Sequence, residues 1–226
     1  MNIKKYVFSL LFLIIQNSFA FNPIPKLYQS IFGSENVNEY YENIVNEALQ
    51  DFECAQDAFA VKKMNSVAKH LIGAELCSFT LFGIWLNEEI LDTCDESLRR
   101  WFIYHEVAHV VCRHHAKALG VSVLLATVIG SSWYCSNRII KNTLFTAGTS
   151  GIISYSLYNF ALKPFIKEQE KNADLAAVTI LVNAGKQEIV NTYMSYLEKQ
   201  RDEGDGQASD GWHYTIEEQL HYLKNL

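Results

Sequence analysis

His105-Glu106-Val107-Ala108-His109 sets two imidazoles four residues apart, with a carboxylate directly after the first. On a helix of about 3.6 residues per turn, positions i and i+4 share a face, so both rings can converge on one cation. Glu106 lies one position round the helix, placed to reach an attacking water rather than the metal. That is the equipment of metal-assisted hydrolysis with its own general base. The same spacing also arises where two histidines merely pack in a helix, so the surroundings must decide.

Those surroundings read as a buried helix. Asp95-Glu96 forms an acidic start after Thr93-Cys94, and neither Gly nor Pro interrupts residues 96–119. Leu98, Trp101, Phe102, Val107, Val110 and Val111 supply an apolar surface around the polar pair. A catalytic zinc takes at least one further protein ligand and keeps a position open. His115 stands ten residues after His105, but using it requires a glycine at position 112 to turn the chain, and Cys112 occupies that place. The helix is therefore expected to run on and carry His115 away from the His105/His109 face. Cys112 itself is expected to pack rather than ligate.

The stronger third donor lies downstream, where residues 167–177 read as a second helix with Glu170 and Asp174 on one face. Glu170 would complete the donor set. Asp174 would accept the free ring N–H of a ligating histidine and fix its tautomer. Ala173, Ala176 and Ala177 are small enough to let the two helices approach closely. The alternative is a solvated charged face, since residues 167–171 alternate in sign.

The HEVAH motif with Val110, Val111, Arg113 and His114, followed by Glu170-Lys171-Asn172-Ala173-Asp174, resembles the M48 metallopeptidases. These zinc-dependent gluzincins include CAAX-processing, heat-shock membrane and periplasmic quality-control proteases. The likeness spans about residues 79–223, and residues 83–91 resemble the family's strand-then-helix lead into the metal helix. It implies an α+β, mostly helical, zincin-like domain with a small β-sheet edge. It also implies one Zn²⁺ on His105, His109 and Glu170, with Glu106 as catalytic base and Asp174 behind the ligands. His213 matches the family's late histidine, which implies a hydrogen bond to the reaction's oxyanion. Two departures stand out: Tyr214 replaces the usual proline, and Gln219 stands where an arginine is usual. Both bear on transition-state support rather than metal binding, and Tyr214 is the alternative donor. The implied partners are protein or peptide substrates, misfolded or envelope proteins among them.

At 226 residues and 49% hydrophobic content, the chain has enough material for one sizeable core. A net charge of −6 gives no basic footprint for nucleic acid. Residues 1–20 read as an export signal: Lys4 and Lys5, an apolar run, then Ser18-Phe19-Ala20 as a cleavage site. An uncleaved anchor is the other reading. Residues 21–226 form the catalytic domain, exported to a periplasm or cell envelope. Five cysteines without CxxC spacing leave at least one unpaired.

Between the metal-bearing helices, residues 118–134 and 143–162 are apolar and nearly uncharged, separated by Arg138 and Lys141. They form a hydrophobic helical hairpin over 118–162, either spanning a bilayer or lying buried or interfacial. The remaining pattern predicts a helix over 38–63, two strands within 67–86, and helices over 186–200 and 215–223. The second strand, 78–86, is expected at the cleft edge, beside extended substrate or as an ordinary paired strand. A non-catalytic, membrane-associated factor that binds clients is the second functional reading.

Overall fold

In a computed structural model, the described residues are 33–54, 59–66, 77–80, 83–140, 143–204 and 213–225. The expected export signal and most of the 201–211 loop lie outside them. Helix α1, Glu39–Asp51, starts where the Asn38 side chain accepts from the Tyr40 N–H at 3.0 Å. It buries Tyr41, Ile44, Val45, Ala48 and Leu49, one stripe at helical spacing. The sequence pattern extends this helix to residue 63, but it ends at Asp51. Glu53 takes a left-handed conformation (φ 55°) and the Cys54 N–H returns to the Leu49 carbonyl at 2.8 Å, closing the terminus. Residues further on enter a sheet instead.

That sheet contains β1 (Ala60–Lys63), β2 (Cys77–Thr80) and β3 (Gly83–Leu86) in the order β1-β3-β2. The centre strand β3 runs parallel to β1, with Val61 opposite Ile84, and antiparallel to β2, with Phe79 opposite Ile84. The predicted strand 78–86 is thus two strands. Its second half, β3, is paired on both sides and wholly buried, whereas β2 pairs with β3 alone among the described residues and lies beside the motif helix. Gly83 is dictated by close approach: a Cβ there would sit 2.2 Å from the Ala60 carbonyl oxygen.

After the short helix α2 (Glu88–Leu91), Asp95 accepts from the Leu98 N–H at 2.9 Å and opens α3, Glu96–Val111. This helix carries the HEVAH motif through the middle of the core. Leu98, Trp101, Ile103, Tyr104, Val107 and Ala108 are all buried, and Trp101 stacks on Tyr193 with centroids 4.0 Å apart. The helix stops at Val111, contrary to the expectation that it runs on. Arg113 adopts φ 55° without being glycine, and a new helix, α4 (His114–Ile140), leaves in another direction.

Helix α4 packs against α5 (Thr143–Leu157), which passes through a π turn at Tyr158–Leu162 into α6, Lys163–Asn183. The pair is a hairpin that projects from the core. Thr146 and Ser150, one turn apart, are buried, whereas Leu124, Ile139, Ile152, Tyr155 and Phe160 are exposed. Helix α6 returns along α3, and the fully buried Ala173 and Ala177 allow the close approach expected of them. Helix α7 (Gln187–Asp202) follows Gly185, and α8 (Ile216–Leu223) opens on a Thr215/Glu218 capping box.

One charged cluster ties α1, α3 and the approach to α7 together. Lys186 Nζ lies 2.6 Å from Glu47, 2.5 Å from Asp51 and 2.8 Å from the Tyr104 hydroxyl, and Arg100 reaches Glu47 at 2.8 Å. Cys54, Cys94, Cys112 and Cys135 are free thiols.

Candidate metal centre and active site

The break after α3 and the return of α6 bring three donor atoms to one point. His105 Nε2 and His109 Nε2 lie 3.0 Å apart, and Glu170 Oε2 is 3.3 Å from each. Four bonds of about 2.0–2.1 Å in a tetrahedron put neighbouring ligand atoms about 3.3–3.4 Å apart, so this triangle suits zinc. Two imidazoles and one carboxylate also form one of zinc's hydrolytic donor sets, with a fourth position left for water. Glu106, partly buried, follows His105 on the same helix.

Outer partners hold each ring. His105 Nδ1 is 2.8 Å from Asp174 Oδ1, which leaves its Nε2 for the donor triangle. Asp174 is buried, and its other oxygen accepts a short hydrogen bond from the Tyr222 hydroxyl. His109 Nδ1 lies 3.0 Å from Nδ1 of the buried His114.

Electrostatics follow from these contacts. Burial opposes charge on His105, but hydrogen bonds to Asp174 and Glu170 outweigh it and raise its pKa well above the ordinary value. Burial lowers the pKa of His109, against the pull of Glu170. For Glu170 burial works against ionisation, yet its contacts with His105 and His109 hold the carboxyl well below the usual range. His114 is pushed down to about 4, chiefly by burial and then by His109. The Cys112 thiol is pushed up by burial, as suits a packing residue.

His213 is half-exposed, with Nε2 3.9 Å from Glu170 Oε2, so it borders the donor triangle without joining it. Tyr214, the alternative to it, points its hydroxyl at Glu168 (3.4 Å), and its ring meets that of Tyr222 in a T-shaped contact with centroids 5.7 Å apart. A groove of about 500 Å³ beside the centre is lined by Lys171, Tyr214, Glu217, Glu218, His221 and Tyr222. It flanks the donor set rather than enclosing it.

The chain matches the model of peptidase family M48 over residues 35–215. It belongs to that family. No curated protein and no solved structure matches the chain. Membership makes this M48 chain a metallopeptidase acting on protein or peptide substrates, and the His-His-Glu cluster meets the family's need for a metal.

Sequence reasoning brought His105, Glu106, His109, Glu170 and Asp174 to this region and missed two supports. His114 entered only as part of a motif likeness, and Tyr222 not at all. The side chain of His115 lies outside what the structure describes. A turn at residue 113 made by arginine leaves no glycine to signal it, and Tyr222 is 48 residues from Asp174.

Proposed function

We propose that this M48 chain is a zinc-dependent endopeptidase attached to a membrane by its α4–α5 hairpin, with His105, His109 and Glu170 as ligands. The observation that carries the reading is the meeting of His105 Nε2, His109 Nε2 and Glu170 Oε2 within 3.3 Å, next to Glu106. Zinc bound there supplies a Lewis acid that polarises the scissile carbonyl and brings the pKa of water towards neutrality. Glu106 takes a proton from the attacking water and delivers it to the leaving amine. Asp174 keeps the His105 ring in the tautomer that offers Nε2. His213, at the border of the centre, donates a hydrogen bond to the oxyanion, a contribution of about 3 kcal/mol. The outer side of β2, unpaired among the described residues and beside α3, offers its backbone groups to an extended peptide.

Membrane attachment is supported by the hairpin. Residues Ala116–Ile139 form a helix long and apolar enough to cross a membrane. Its 24 residues rise about 36 Å, against a hydrocarbon core of about 30 Å. Arg138 and Lys141, which separate the two apolar stretches in the sequence, favour a cytoplasmic side for that point of the chain, with the catalytic domain on the exported side, in a periplasm or cell envelope. Misfolded membrane or envelope proteins are the substrates that fit this position.

The test is digestion of casein or a denatured membrane protein, with and without chelator, alongside metal analysis. Glu106→Gln is expected to retain zinc and lose cleavage; a variant that cuts like the parent overturns the role of Glu106. The replacement of the family's usual arginine by Gln219 favours a second reading, a client-binding factor that does not cut. Function that survives chelation with no cleavage at all would support it.

A further inference from the structure

We propose that His114 is a positioning residue for the metal centre, the acceptor that fixes the tautomer and orientation of His109; this deepens, and rests on, the zinc-site reading above. His109 turns Nε2 towards His105 and Glu170, 3.0 and 3.3 Å away. A nitrogen that binds a cation must present its lone pair, so the ring proton of His109 sits on Nδ1. That Nδ1 faces Nδ1 of His114 at 3.0 Å, and only one of two facing nitrogens can carry the proton. His114 therefore accepts through Nδ1 and carries its own proton on Nε2. His105 receives the equivalent support from Asp174. The two ligands of one helix are thus backed by different chemistry, a carboxylate behind one and a neutral imidazole behind the other.

The chain is folded to make this contact. In an unbroken helix, residue 114 would lie about 140° round from residue 109. Arg113 at φ 55° ends α3 and swings the first residue of α4 back under the motif. A left-handed backbone is strained for a non-glycine residue and persists where the surroundings demand it. The rings meet edge to face, with centroids 4.9 Å apart, and His114 is buried.

Zinc affinity by competition with a chromophoric chelator tests this in the full chain. Asparagine carries its amide oxygen near the Nδ1 position of histidine, whereas glutamine carries it near Nε2. His114→Gln and His114→Leu should weaken zinc binding 10–100-fold, the usual effect of losing a ligand's outer partner. His114→Asn should bind within about threefold of the parent. Circular dichroism in excess chelator reports folding separately, and if His114→Leu unfolds, the Gln/Asn comparison decides alone. Parental affinity in His114→Gln, or equal loss in His114→Asn and His114→Gln, overturns the positioning role. A parent chain that binds no zinc sinks the underlying metal-site reading instead.

Discussion

Replacing Tyr222 with phenylalanine deletes one oxygen and nothing else, and that oxygen donates to Asp174, which in turn holds His105. Asp174 is buried with its side chain 3% exposed, so no water takes over the lost donation cheaply. Hydrogen bonds to a charged group contribute about 1.5–3 kcal/mol, so the metal-free protein should lose about that much stability. For a chain of this size each kcal/mol shifts the melting temperature by about 2–4 °C, which predicts a fall of about 3–12 °C. Asp174 itself remains, so zinc affinity should drop only about tenfold, the lower end for an outer partner. Asp174→Asn should sit nearer a hundredfold. Melting curves in chelator give the first quantity, and competition with a zinc-binding dye gives the second. Tyr222→Phe with parental melting and parental affinity would refute the argument that α8 buttresses the centre.

Glu170→Gln removes the charge from a largely buried donor, a change of about 3–5 kcal/mol, so zinc affinity should fall by two to four orders of magnitude in the same competition assay. Lys186→Met should destabilise the chain by about 1–2 kcal/mol in urea, because the Glu47, Asp51 and Tyr104 partners are only partly buried. Contacts with Lys186 and Arg100 outweigh burial to lower the Glu47 pKa, and those with Asp51 and Glu47 outweigh burial to raise that of Lys186. The cluster's contribution is therefore full between the ordinary values of 4.5 and 10.5. It should fade as pH drops through the folded value of Glu47 or rises through that of Lys186, and urea titrations across pH check this. Gly83→Ala forces a Cβ against the Ala60 carbonyl and should lower the melting temperature measurably, with β1 and β3 parting first in hydrogen exchange.

What the sequence made legible was local and periodic. His105 and His109 announce themselves by an i, i+4 spacing that only a helix makes useful, and Glu170 with Asp174 repeats the device. Their meeting needed only that α6 return along α3, and Ala173 and Ala177 hinted at the fit. The strands were less legible because four-residue segments carry little periodicity. Residues 60–63 read as a continuation of α1 until Glu53 turned the chain, and the expected strand 78–86 divides into the antiparallel pair β2 and β3. The break at Arg113 was hidden for the same reason: positive φ leaves a reliable trace only when glycine adopts it. His114 and Tyr222 owe their roles to tertiary contacts that no spacing rule encodes.

The motif helix and the helix that supplies its acidic partner lie on opposite sides of the α4–α5 hairpin in the chain. A nascent polypeptide therefore exposes both histidines long before it owns the carboxylate that completes their grip. The hairpin has to close before that carboxylate can arrive, and the Tyr222 brace comes later still. Catalytic competence is in this way a product of finished folding, and a half-made molecule carries an unassembled blade.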